Sequence, residues 1–189
     1  MKLSDIHIKK TTPEDFDNIM SVEKAAFGYD KEAKLVADLL QDDSAEPMLS
    51  LLAFFGKDPV GHILFTRATF REQESTPLMH ILAPLAVIPE YQNQGIGGLL
   101  IEAGMQMLEQ MGSKLVFVLG HKEYYPKFGF VPYAARLGYL PPYPMPEAND
   151  AYWMVRNFEP DGMDIGKGVV VCADTLNKPE HWRDDEADR

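Results

Sequence analysis

The sequence is short of several things, and each shortage removes a class of protein. Among 189 residues there is one cysteine, Cys172. That rules out an intrachain disulfide and fits a reducing cytosol. No apolar run is long enough to span a bilayer, so no membrane partner is expected. The start, Met1-Lys2-Leu3-Ser4-Asp5, lacks the apolar core of an export signal, and the expectation is a cytoplasmic protein. Basic residues are outnumbered, 18 Lys and Arg against 29 Asp and Glu, for a formal net charge of -11. Nucleic acid demands a basic footprint, so no such partner is expected. His7, His62, His80, His121 and His181 show no metal-ligand spacing, and no metal is expected. Asp161-Gly162-Met163-Asp164 has turn composition but lacks the remaining acids of a calcium loop.

What is present describes an ordinary globular chain. Hydrophobic residues make up 46% and charged residues 25%. The length suits one domain with a real core. Residues 1–175 are expected to form that domain, and residues 176–189 a charged tail that frays over Asp184 to Arg189. No internal repeat or linker is visible. Cys172 closes the apolar run Gly168 to Ala173, where it reads as a small buried hydrophobe.

Periodicity orders the elements. Ile6 to Lys10 alternates as a half-buried strand. Thr11-Thr12-Pro13-Glu14-Asp15 starts a helix, with Phe16, Ile19, Met20, Glu23 and Phe27 on one mostly apolar face and Gly28 at its end. A second helix carries Leu35, Val36, Leu39 and Leu40. Met48 to Phe55 and Val60 to Phe70 flank the turn Gly56-Lys57-Asp58-Pro59 as a hairpin. Met79 to Ile88 is apolar enough for a central strand buried on both faces. Ile96, Leu99, Leu100, Ala103, Met107, Leu108 and Met111 repeat at helical spacing, closed by Gly112. Leu115 to Leu119 is a short buried strand, so a parallel βαβ unit is predicted. Leu140 to Pro146, with four prolines in seven residues, is a stiff loop. Ala151 to Phe158 and Gly168 to Ala173 are late strands. The fold class is therefore a mixed α/β domain.

The segment between the central strand and the long helix carries the chemistry. It reads Pro89-Glu90-Tyr91-Gln92-Asn93-Gln94-Gly95-Ile96-Gly97-Gly98. A strand that turns through glycines into a helix aims unpaired N–H groups and the positive dipole end at one point, which binds phosphate. Gly95, Gly97 and Gly98 let a ligand touch the backbone. No acidic residue stands between Glu90 and Glu102, so the acidity of the chain spares this cradle. A dinucleotide site requires Gly-x-Gly-x-x-Gly, and here the third glycine is replaced by Leu100. A nucleotide P-loop requires Gly-Lys-Ser/Thr, which is absent.

Gln92-x-x-Gly95-x-Gly97 matches the Gln/Arg-x-x-Gly-x-Gly/Ala signature of the GNAT superfamily, the GCN5-related N-acetyltransferases. Tyr125-Pro126-Lys127-Phe128-Gly129-Phe130 resembles that family's Tyr-x-x-x-Gly-Phe segment. The order of elements is similar from about Ile6 to Phe158. Leu82-Ala83-Pro84-Leu85-Ala86-Val87 followed by Pro89-Glu90-Tyr91-Gln92 resembles a bacterial branch, the YhbS-like acetyltransferases. The resemblance implies the acyl-CoA N-acyltransferase fold, a mixed sheet whose central strands splay into a V. It implies acetyl-CoA as co-substrate, with direct transfer to an amine in a ternary complex. Gln92, Asn93, Gln94, Gly95, Ile96, Gly97 and Gly98 would hold its pyrophosphate, and the backbone of Leu85, Ala86 and Val87 its pantetheine arm. The N–H of Val87 would meet the thioester oxygen, and Tyr125 would protonate the leaving thiolate.

Each of these residues also has a plainer reading. Pro84 marks either the splay or an ordinary bulge. Tyr125 is either the acid or a packing aromatic, and its neighbour Tyr124 should point elsewhere. Candidates for the general base are His62, His80, Glu23 and Glu123. The acceptor, a small-molecule or protein amine, would meet Phe27, Tyr29 and Tyr143, unless these aromatics only cap the core. The rival function is a non-catalytic acyl-CoA sensor with the same fold. A monomer or a homodimer is expected.

Overall fold

The computed structural model describes residues 2–159 and 165–182. The Asp161–Asp164 turn and the charged end from residue 183 lie outside the described residues. Among those described, no helix is long and apolar enough to cross a membrane.

Strand β1 is Ile6–Lys10. Thr12 then opens a short 3-10 turn, Pro13–Asp15, by donating its N–H to Asp15 Oδ2 at 2.9 Å. Lys9 pairs with the same carboxylate at 2.8 Å, which fixes the strand to the helix start. Helix α1 follows as Phe16–Phe27 and stops at Gly28, whose φ of 73° only glycine adopts without strain. Helix α2 is Asp30–Leu39. Strands β2, Leu49–Phe55, and β3, Asp58–Phe70, form the expected hairpin. Its turn is tighter than predicted, since Asp58 already pairs with Phe55. Strand β4 is Met79–Val87, helix α3 Ile96–Gln110 and strand β5 Leu115–Leu119. Three more strands complete the fold: β6, Tyr139–Leu140, β7, Trp153–Asn157, and β8, Gly168–Val171. The proline loop thus opens with a short strand, because Tyr139 and Leu140 pair with Gly168 and Val169.

The main sheet runs β1-β2-β3-β4-β5-β7, antiparallel except for β4 and β5. The α3 crossover makes that pair parallel, as the βαβ pattern requires. Alternate residues point to opposite faces. Leu52, Leu64 and Ile81 therefore pack under α1 and α2 with Ile19, Val22, Val36 and Leu39. Leu51, Ile63 and Leu82 pack under α3 with Leu100, Ile101, Met105 and Leu108. This is the mixed α/β architecture read from the sequence.

One expectation fails in this region. The chain from Leu176 to Trp182 does not leave the domain as a tail. Leu176 is 4% exposed and Trp182 8% exposed, both inside the core on the α1–α2 face. The Trp182 ring meets that of Trp153 edge-on at 5.7 Å, and its Nε1 donates to Leu176 O at 2.9 Å. Charge counting placed the boundary too early, because two apolar residues outweigh the surrounding charges once they find a pocket.

Candidate active site

Strands β4 and β5 pair from Met79 with Leu115 to Leu82 with Val118, and no further. Beyond Leu82, β4 stays paired to β3 as far as Val87 with Gly61. Among the described residues no strand lies beside its other edge, over Ala83 to Val87. The β3–β4 register slips between Ile63 and Phe65, so one residue of β3 faces both Ala83 and Pro84. The two readings of Pro84 are thus both true. The bulge sits at the proline, and the sheet opens there.

A cavity of about 480 Å³ fills the opening. Ala83, Pro84 and Leu85 line one side, and Leu119, Gly120 and His121 the other. Phe27, Glu32 and Leu35 close it from the helices, and Leu176, His181 and Trp182 from the end of the chain. Tyr125 stands in its wall. A side chain on Gly120 would come within 2.3 Å of the Tyr125 ring, so glycine there makes room for the tyrosine. The ring also meets Phe130 edge-on at 5.7 Å. Burial, with the Tyr124 hydroxyl as a lesser influence, pushes the Tyr125 hydroxyl well above its ordinary pKa. It therefore carries its proton at neutral pH.

The cradle lies on the α3 side of the same strand. Its turn has two residues in the left-handed region, Asn93 at φ 59° and Gly95 at φ 91°. Gly95 is the residue before α3, and the first return bond of the helix runs from Leu99 N to Gly95 O at 3.1 Å. The N–H groups of Ile96, Gly97 and Gly98 precede that bond and are the open donors of the helix start. Gln92 donates from Nε2 to Val87 O at 2.9 Å, and Gln94 to Glu90 O at 2.9 Å. These two glutamines tie the turn to its strand. Ile96 is 1% exposed, so its side chain anchors the core while its N–H faces out.

Tyr124 is where the sequence reading missed a residue. A side chain on Gly97 would lie 2.6 Å from the Tyr124 hydroxyl, and one on Gly98 3.1 Å from the Phe128 ring. The 3-10 turn Tyr125–Phe128 therefore leans on the first turn of α3. Tyr124 points to the cradle and Tyr125 to the cavity, with their rings edge-on at 5.3 Å. The double tyrosine was the available signal.

The other expected residues divide. Leu85 lines the cavity, whereas Ala86 is buried toward α1 and Val87 packs toward α3. Phe27 lines the cavity. Tyr29 stands beside it, 6.4 Å from the Phe27 ring, and donates to Glu32 Oε1 at 3.3 Å. Tyr143 is apart from them. Its hydroxyl donates to Asn177 O at 2.7 Å, and its ring packs against the core, the plainer reading for that aromatic.

None of the four general-base candidates lines the cavity. His80 is buried between Ser113 Oγ, at 2.9 Å, and Pro47 O, at 2.8 Å, on the closed part of the β4–β5 pair. Glu123 is an exposed neighbour of Lys122. Glu23 and His62 are fully buried and bonded to each other. Glu32 and Glu180, which the sequence reading passed over, are the carboxylates in the wall, Glu32 from α2 and Glu180 from near Trp182. Among the described residues no group of three or more His, Cys, Asp or Glu is arranged to hold a metal.

Comparison with known proteins fits this geometry. The acetyltransferase (GNAT) family model matches residues 16–130. The chain is 54% identical over 164 residues to the uncharacterized N-acetyltransferase YjhQ of Escherichia coli, covering 87% of this chain and 90% of that protein. It superposes on the crystal structure of YhbS from Escherichia coli, a GNAT family N-acetyltransferase in complex with CoA. The TM-score is 0.80 at 26% identity, over 92% of this chain and 93% of that one. A GNAT family acetyltransferase from Brucella melitensis in complex with acetyl-CoA gives a TM-score of 0.71 at 30% identity, over 90% and 97% of the chains.

Proposed function

The chain belongs to the GNAT acetyltransferase family, and from that premise we propose that it transfers the acetyl group of acetyl-CoA directly to a primary amine held in the splay. The observation that carries this reading is the coincidence of three features at one opening. The β4 edge is unpaired beyond Leu82, the open N–H groups of α3 follow that strand, and Tyr125 stands in the facing wall.

Each part has a role in the proposal. Ile96, Gly97 and Gly98 hold the pyrophosphate at the helix start, assisted by the turn Gln92-Asn93-Gln94-Gly95. The bare edge over Leu85, Ala86 and Val87 pairs with the pantetheine amides as an added strand would. The amine attacks the thioester carbonyl, forming a C–N bond as the C–S bond breaks. The Val87 N–H steadies the charge on the carbonyl oxygen. The Tyr125 hydroxyl gives its proton to the departing thiolate and recovers one from the amine nitrogen. Phe27, Leu35 and Trp182 offer apolar walls to the body of the acceptor.

The test is release of free thiol from acetyl-CoA with a panel of alkylamines, aralkylamines, amino acids and peptides. Thiol release dependent on one class of amine is the expected result. Binding of acetyl-CoA with no amine-dependent release anywhere in the panel would overturn the transfer reading. Calorimetry on Gly97→Glu tests the cradle separately. CoA affinity should fall at least about tenfold, because the side chain fills the space of the pyrophosphate and displaces Tyr124.

A further inference from the structure

Glu23 lies in the middle of the buried stripe of α1, where periodicity calls for an apolar residue, and is 0% exposed. Its Oε1 lies 2.5 Å from His62 Nδ1, and His62 Nε2 lies 2.9 Å from Ser50 Oγ. His62 is 0% exposed and Ser50 5%. A carboxylate, an imidazole and a hydroxyl thus stand in line under a helix, among Leu52, Leu64 and Ala86. Apolar residues of equal volume would hold this layer at least as well, since desolvating such groups offsets what their pairing returns.

One end of the line meets a cavity, and the other, Glu23, interacts electrostatically with a residue that lines a second. Ser50 lines a space of about 430 Å³ beside Pro13, Phe16 and Ile19, at the start of α1. Phe27 and Glu32 line the acceptor cavity at the end of α1, roughly 18 Å along the helix axis from its start. Glu23 lies between them. Its Oε2 has no protein partner, although it is buried, and neither has Glu32 Oε2. Thr66 Oγ1, on the same face of β3 as His62, is another such oxygen. Buried oxygens left open in this way are where internal water binds. Glu23 and Glu32 also feel each other electrostatically, which helps burial raise the pKa of Glu23.

We propose that Glu32 takes the proton of the acceptor ammonium, and that Glu23, His62 and Ser50 carry it away along α1 to the second cavity. Acetyl transfer to an ammonium yields the amide, the thiol and one surplus proton. The ammonium gives the surplus proton to the Glu32 carboxylate, becoming the neutral amine that attacks. The second nitrogen proton leaves during collapse and ends on the thiol through Tyr125. The surplus proton passes from Glu32 through bridging water to Glu23, then through the imidazole to the Ser50 hydroxyl and out. CoA and acceptor together plug the splay, so an exit behind the acceptor is what turnover needs. Glu32 touches the substrate in this scheme, whereas Glu23, His62 and Ser50 are positioning residues. The titratable groups facing Glu32 are Tyr29 and Lys31 beside it, Glu23 on α1, His121 after β5, and Glu180 and His181 near the chain end.

The proposal rests on the acetyltransfer reading, and two measurements keep them separable. The first needs no turnover. The imidazole nitrogens of His62 are followed by NMR in the CoA-bound protein while 2-phenylethylamine hydrochloride is added. A shift in wild type that is absent in Glu32→Gln is expected. No shift at saturating amine, or an equal shift in both proteins, would overturn the relay. If His62 responds but no amine releases thiol, the relay stands and the transfer reading falls. The second measurement uses an amine that turns over. Glu32→Gln should lower kcat/KM about 100-fold or more, and Glu23→Gln about tenfold with an altered pH profile. Glu32→Asp should recover part of the loss. Methoxyamine, already neutral at pH 7, should react with wild type and both Gln variants at similar rates. Wild-type rates and an unchanged pH profile in both Gln variants with an alkylamine would overturn the proposal.

Discussion

Tyr124 and Tyr125 are adjacent in the chain, yet Tyr124 points to the start of α3 and Tyr125 to the cavity. The Tyr125 hydroxyl is held protonated by burial, the state an acid must have before the thiolate leaves. The Tyr124 hydroxyl, also pushed up by burial, stands over Gly97. Phenylalanine at each position keeps the ring and removes only the oxygen. Tyr125→Phe should lower kcat about 100-fold, with CoA affinity unchanged by calorimetry. Tyr124→Phe should leave kcat within about threefold and shift only CoA affinity. The reverse pattern would exchange the roles. The family motif pointed at Tyr125 in the sequence. The part played by Tyr124 was not legible, because spacing along a 3-10 turn does not tell which ring leans on a helix 27 residues upstream in the chain. Glu32 was hidden for a similar reason. A Glu early in α2 reads as an ordinary first-turn acid, and only the fold brings it to the splay.

At the scale of elements, the seat of α3 decides where the cradle points. Gly104 lies on the buried face of that helix, and a side chain there would come within 2.3 Å of the Phe65 ring. Phe65 is 0% exposed and cannot swing aside. It also borders the bulge that opens the sheet. Gly104→Ala gains helix propensity of about 1 kcal/mol. Overpacking costs about 1–3 kcal/mol, so the variant should be less stable in chemical denaturation, by up to about 2 kcal/mol. A gain in stability would show that α3 is not seated on Phe65. Helix and strand periods revealed these elements in advance, because α3 and β4 bury residues at regular intervals. The β4–β5 parting was visible only as a proline in a strand. Pairing that stops is a property of two segments, and neither shows it alone.

At the scale of the molecule, the segment from Leu176 to Trp182 is bound back onto the α1–α2 face and closes one side of the splay cavity. Trp182 fills the space beside Trp153 and lines that cavity. Trp182→Ala should cost about 3–5 kcal/mol in denaturation and weaken amine-dependent turnover. A second tie acts just before it. The Asp42 carboxylate accepts from Ser44 and from the Thr175 N–H at 2.9 Å, and the Asp174 N–H donates to Ser44 Oγ at 2.8 Å. Partial burial opposes ionisation of Asp42, but the bonds from Ser44 and Thr175 outweigh it and hold the carboxyl at about 2, below its ordinary 3.8. A depressed folded pKa means that the unfolded chain binds the proton more readily. The tie therefore contributes fully above pH 3.8 and is lost as pH falls toward 2. Asp42→Asn should be less stable than wild type at pH 6, and the difference should shrink between pH 4 and pH 2 as both proteins become neutral at this position. A stability difference that stays constant from pH 6 to pH 2 would show that the charge of Asp42 is not what binds the end of the chain.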